Sequence, residues 1–185
     1  NMKKVQLAPA VRGDIVIDFS KFPLYTRLYL VNRLVHLDGR GPEDATVNIR
    51  DANGFLTGAG TQMMRFDIDS EPSVPDVSQV PNSLRELPPI NLAEVVQNRT
   101  WEFDRVNAVW TVNGQLFDAV NPIASPRRGT AEIWTLQGRG GWHHPVHIHF
   151  EEGRILSRNG LPPPPHEAGR KDVYVLEPND VVVVF

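Results

Sequence analysis

The 185-residue chain contains no cysteine. That excludes disulfides, thiolate–zinc sites and iron–sulfur clusters built from these residues alone. It also excludes a blue copper centre confined to this chain, because such a centre needs a thiolate beside two imidazoles. No apolar run approaches the roughly 18 residues of a membrane-crossing helix, so no membrane span is expected. Neither sign of charge dominates: 19 Lys and Arg stand against 22 Asp and Glu, for a net charge of −3. The one basic cluster, Arg127-Arg128, sits in a Pro/Gly-rich turn. Without a basic stripe there is no electrostatic footprint for phosphate backbones, and no nucleic-acid partner is expected.

Helical periodicity is also scarce. Short runs read as strands, separated by proline and glycine punctuation. They are Val5–Leu7, Asp14–Phe19, Leu28–Val31, Gln62–Ile68, Thr100–Phe103, Val109–Val112, Gly129–Leu136, a histidine-bearing strand to about Phe150, Ile155–Gly160, Asp172–Leu176 and Val181–Phe185. Asn113-Gly114 is a strong two-residue hairpin signal. Leu92–Val96 reads as a short helical turn. Residues 69–91 hold five prolines among acidic and serine residues, a composition suited to a linker. Many short strands with turns between them predict an all-β sandwich or barrel. The closing Val-Val-Val-Val-Phe reads as a strand with a free, sticky edge, one cut in the middle of a sheet rather than finished.

Four of the six histidines fall within seven positions, in Trp142-His143-His144-Pro145-Val146-His147-Ile148-His149. On a strand, residues i and i+2 share a face, so His147 and His149 are expected to point one way and Ile148 the other. Neutral imidazole is a common ligand for copper, zinc and iron. Pro145 removes a backbone donor and marks a strand start or sheet edge. The spacing predicts a metal site on a strand. His143 lies outside the spaced set and reads as a packed neighbour, and isolated His36 and His166 read as surface or structural residues.

His144-Pro145-Val146-His147-Ile148-His149 resembles the histidine-proline-x-histidine-x-histidine motif of multicopper oxidases, the laccase-like enzymes. Four further segments resemble that family in the same order along the chain: Leu7–Ser20, Val112–Phe117, Ala131–Leu136 and Lys171–Val175. The resemblance implies a Greek-key cupredoxin-like β-sandwich or barrel. It implies copper as cofactor, in type 1, type 2 and type 3 sites. By this likeness His144 would bind the type 1 copper and relay electrons from substrate, His147 the type 2 copper, and His149 a type 3 copper. The implied reaction is one-electron oxidation of a small-molecule or metal-ion reductant, coupled to reduction of dioxygen to water. Family members are mostly periplasmic or extracellular, which is the basis for expecting that location here.

Departures from the family pattern shape the rest. The closing histidine-cysteine-histidine motif and the two histidine-x-histidine motifs of a first domain are absent from these 185 residues. The expectation is therefore an incomplete part of an oxidase, inactive by itself, that needs the N-terminal domain and the His-Cys-His segment of the same protein as partners. Residues 1–68 are expected to be the C-terminal part of a second cupredoxin domain, 69–92 a linker, and 93–185 a C-terminal cupredoxin domain ending before the His-Cys-His motif. Two other readings stand beside it. One is a non-catalytic cupredoxin-like structural or binding module. The other is a mononuclear-metal cupin, disfavoured because Glu151 and Glu152 follow His149 too closely to supply the cupin glutamate. Those two glutamates read as solvated strand-end charges. Trp110, Trp134 and Trp142 read as core aromatics, with Trp142 a candidate neighbour of His144.

Overall fold

The computed structural model describes residues 7–34, 38–42 and 61–185. His36 and most of the expected strand Val5–Leu7 lie outside them. The chain forms two compact units, one of Asp14–Leu84 and one in which the described residues up to Gly13 join Arg85–Phe185.

In the first unit, β1 (Arg27–Asn32) pairs antiparallel with β2 (Thr61–Asp67), with a bulge between Leu30 and Val31. Asp14–Phe19 is not the strand its alternating pattern suggests. Residues 14–18 run without regular structure into a 3-10 helix, Phe19–Lys21. The Asp18 carboxylate accepts from the Ser20 backbone N–H at 3.1 Å, and this local cap competes with strand pairing. Residues 69–91 contain no helix or strand.

The second unit begins with a 3-10 helix, Leu92–Glu94, where a short helical turn was expected. The strands follow: β3 (Val95–Val106), β4 (Val109–Val112), β5 (Ala131–Gly138), β6 (His144–His147), β7 (Gly153–Arg158), β8 (Arg170–Lys171), β9 (Val173–Leu176) and β10 (Val181–Val184). Six of them make one mixed sheet in the order β4-β3-β5-β10-β7-β8, while β6 and β9 form a separate antiparallel pair. The β3–β5 pairing is parallel and the other pairings are antiparallel. Turn chemistry explains the reversals. Asn107 and Ala108 both take positive φ between β3 and β4, and Asn113-Gly114 does so before the Val112–Gln115 bridge, as a type I′ turn requires.

Each sheet contributes one face to a single core. Trp101, Leu136, Ile155, Val182 and Val184 come from the six-stranded sheet, and Tyr174 and Leu176 from β9. Val146 and Ile148 pack against this cluster from the histidine segment. Burial of each such side chain contributes about 1.5–3 kcal/mol before entropy is counted. The last strand does not carry a free edge. β10 is hydrogen-bonded to β5 on one side and β7 on the other, and its unbroken valine run suits a strand buried within a sheet.

Candidate metal centre

The histidine segment is aimed by the turn that precedes it. β5 ends at Gly138, whose backbone N–H bonds the Asp180 carbonyl at 2.9 Å. Gly140 and Gly141 then take φ of 69° and 71°, a conformation that side-chain-bearing residues rarely adopt. This reversal brings His144 back to Arg139, where His144 Nε2 lies 3.1 Å from the Arg139 carbonyl oxygen. A carbonyl can only accept, so Nε2 carries the proton and the Nδ1 lone pair is left as the ligand donor. The ring is buried and sits edge-on to Trp110 at 5.7 Å and tilted against Phe103 at 6.2 Å.

β6 pairs with β9 so that His144 opposes Leu176 and His147 opposes Val173. Pro145 tolerates this position because the pair has free edges. Alternation along the strand turns His144, Val146 and Ile148 toward the core and leaves Pro145, His147 and His149 more exposed. The expected pairing of His147 and His149 is present: their ring centroids lie 4.8 Å apart. The strand is shorter than expected, however, and ends at His147. Ile148 still donates its N–H to the Asp172 carbonyl at 2.8 Å, but Phe150 takes φ of 76°. That left-handed residue breaks the extended course just after His149.

A carboxylate completes this side of the strand. Asp172 precedes β9, and its Oδ2 lies 3.3 Å from His147 Nε2. Arg12 donates to the same carboxylate at 2.8 Å, and this bond holds the Asp172 carboxyl below the usual carboxylate range. An ionised carboxylate beside an imidazole fixes the ring's orientation. Local sequence around the histidines gives no hint of Asp172 or Arg12, because strand pairing and a separate segment bring them in. Glu151 and Glu152 do not serve here. They face Arg170 at 3.8 and 3.2 Å, in line with surface charges. His143 is half-buried and His166 is exposed in the 3-10 helix Pro165–Glu167.

A cleft of about 950 Å³ is lined among others by Trp110, Leu116, Phe117, Ile123, His144 and His147. Trp134 packs on the core edge-on to Trp101 at 5.3 Å. Trp110 is no core residue: it is 52% exposed and meets Trp142 edge-on at 5.2 Å. Its alternating neighbours suggest burial, but β4 is an end strand of the sheet, so one face stays open.

The donor chemistry suits copper, with three imidazoles, one of fixed tautomer and one backed by a carboxylate. The set is partial. Among the described residues no three His, Cys, Asp or Glu side chains are grouped to hold one ion.

Residues 88–185 match the multicopper oxidase family. The chain is 34% identical over 193 residues to a bilirubin oxidase of Albifimbria verrucaria, covering 96% of this chain and 30% of that protein. It is 29% identical to a laccase of Haloferax volcanii, covering all of this chain and again 30% of the relative. The chain thus spans less than a third of the length of either relative. Among solved structures, a laccase from Pediococcus acidilactici superposes with a TM-score of 0.64 at 20% identity, over 91% of this chain and 31% of that one. A multicopper oxidase variant from Aquifex aeolicus gives 0.62 at 21% identity, over 91% and 35%. These likenesses identify the fold as that of the cupredoxin-type oxidases.

Proposed function

The chain belongs to the multicopper oxidase family, and from that premise we propose that it forms part of a copper-dependent oxidase of laccase type. Copper is the metal that membership implies. When bound, it supplies one-electron acceptance from a reductant at one centre and dioxygen reduction to water at a cluster. His144 would hold the type 1 ion through Nδ1, while its Nε2–H stays on the Arg139 carbonyl. His147 and His149 would hold ions of the trinuclear cluster, His147 the type 2 ion and His149 a type 3 ion. Asp172, anchored by Arg12, orients His147. Phe103 and Trp110 exclude water from the His144 ring. Small-molecule or metal-ion reductants and dioxygen would be the substrates, and a periplasmic or extracellular location fits family habit.

The observation that carries this reading is the split of the motif across β6. Two imidazoles lie side by side on one side of the strand, and a third, of fixed tautomer, is buried on the other. One short strand can in this way serve two separate centres. Residues 93–185 would be the cupredoxin unit that presents them, in line with the family match over 88–185. Three imidazoles fall short of a full ligand set, so the remaining ligands would come from polypeptide other than these residues.

In the copper-loaded full-length protein, His147→Ala and His149→Ala should each lower cluster copper and abolish most dioxygen consumption. His144→Ala should remove the type 1 visible absorption while cluster copper remains. Copper content and oxygen uptake decide the matter. Undiminished dioxygen reduction without His147 or His149 sinks the assignment.

A further inference from the structure

Arg12 meets Asp172 across 160 residues of sequence. Its Nη1 lies 2.8 Å from each oxygen of the Asp172 carboxylate, and Oδ2 of that carboxylate faces His147 Nε2 at 3.3 Å. Strand pairing already fixes the Asp172 backbone. Its carbonyl accepts from the Ile148 N–H at 2.8 Å, and the next residue, Val173, opposes His147 in the β6–β9 register. Pairing does not fix the rotation of the carboxylate about its own side-chain bonds; the contact with Arg12 does. Arg12 is itself held from behind. Residues 8–11 form a turn closed by the Val11 N–H on the Ala8 carbonyl at 3.0 Å. Pro9 stands second in it and Ala10 third, at φ of 64°, a third-position conformation that usually calls for glycine. The Ala10 carbonyl accepts from the same Arg12 Nη1 at 2.8 Å. This segment groups with the second unit as far as Gly13, although Arg12 lies outside residues 88–185 that carry the family match. The Arg12 side chain is 63% exposed, and ion pairs that open to water add little to stability. Its effect should therefore fall on position rather than on folding.

We infer that Arg12 is a positioning residue for His147. By clamping Asp172 it keeps the proton on the ring nitrogen that faces the carboxylate and leaves the lone pair on the other, as a metal ligand requires. The inference rests on the proposed role of His147 as the type 2 ligand and adds how that imidazole is held ready. The effect is confined to one side of β6. His144 lies on the other side and takes its tautomer from the Arg139 carbonyl, so the type 1 site has no share in the clamp.

The test uses the copper-loaded full-length protein and reads copper rather than turnover. Type 2 copper is followed by its electron paramagnetic resonance signal during titration with a chelator, and type 1 copper by its visible absorption in the same samples. Arg12→Ala should release type 2 copper at about tenfold lower chelator, the usual scale for losing a partner behind a metal-bound imidazole. Its type 1 absorption and thermal unfolding midpoint should match wild type. Arg12→Lys, which keeps the charge without the fork, should recover part of the loss. Asp172→Asn should behave like Arg12→Ala, and combining the two should add less than twofold, because both remove one constraint. Equal weakening of type 1 and type 2 copper in Arg12→Ala, or additive losses in the double variant, would show that Arg12 only fastens residues 7–13. Unchanged type 2 copper would show that Asp172 holds His147 unaided. Each of these results overturns the inference. His147→Ala separates it from the reading it rests on. A type 2 signal that persists without His147 removes that ligand assignment and the inference with it. A signal lost in His147→Ala but intact in Arg12→Ala removes the inference alone.

Discussion

Tyr174 places its hydroxyl in the core, where it accepts from the Gly153 N–H at 3.0 Å and donates to the Lys171 carbonyl at 2.6 Å. The side chain is 1% exposed, and burial pushes its hydroxyl pKa up to about 12. Removing the hydroxyl takes this partner from two half-buried backbone groups, so Tyr174→Phe should cost about 1–3 kcal/mol. The raised pKa adds a test with a definite sign. The folded state holds this proton more tightly than the unfolded state, whose tyrosine titrates near 10. The stabilisation is complete below pH 10 and is lost as pH climbs toward 12. Urea unfolding of wild type should therefore show a fall in stability over that window that Tyr174→Phe lacks. Parallel falls in both proteins would mean that other groups govern the alkaline limb.

At the scale of elements, one arginine ties four pieces of the second unit together. Arg158 on β7 makes a two-point contact with Glu167 at 3.0 and 3.1 Å, a further bond to the Val175 carbonyl on β9 at 3.1 Å, and an ion pair with Asp180 in the turn before β10. Glu167 and Asp180 are each 6% exposed. Asn159 also donates to Asp180 at 2.7 Å, and Lys171 reaches Glu167 at 3.6 Å. Breaking a buried pair from one side strands a charge and typically costs about 3–5 kcal/mol. Arg158→Met should lose that much in thermal or denaturant unfolding. Neutralising the stranded partners as well, in Arg158→Met/Glu167→Gln/Asp180→Asn, should restore a good part of it. A single variant within about 1 kcal/mol of wild type would show that the network is decorative. None of this is legible locally. Glu167 follows a proline run and Asp180 sits in a turn, and only the return of the chain brings them to β7.

For the whole molecule, what could be read ahead depended on sequence distance. The i, i+2 histidine pair, the Asn113-Gly114 turn and the core strands follow from local alternation and turn chemistry. Asp172 beside His147, exposed Trp110 and interior β10 do not, because each depends on which strands become neighbours. Val181–Val184 illustrates the limit. Read alone, an unbroken valine run ahead of a single Phe185 resembles a sticky edge, yet β10 fills the gap between β5 and β7 and joins both halves of the six-stranded sheet. Val182 is 0% exposed at this junction, opposite Leu136 on one side and Arg158 on the other. Its deletion should therefore be felt across the sheet rather than at one strand. Val182→Ala removes two buried carbons from a packed interior, where such cavities cost a few kcal/mol at most. Native-state amide exchange should then speed up together in β5, β7 and β10 as the sheet opens as one cooperative unit. Faster exchange confined to β10, with β5 and β7 unchanged, would mean that the flanking strands are held without it and that the sheet is two independent halves.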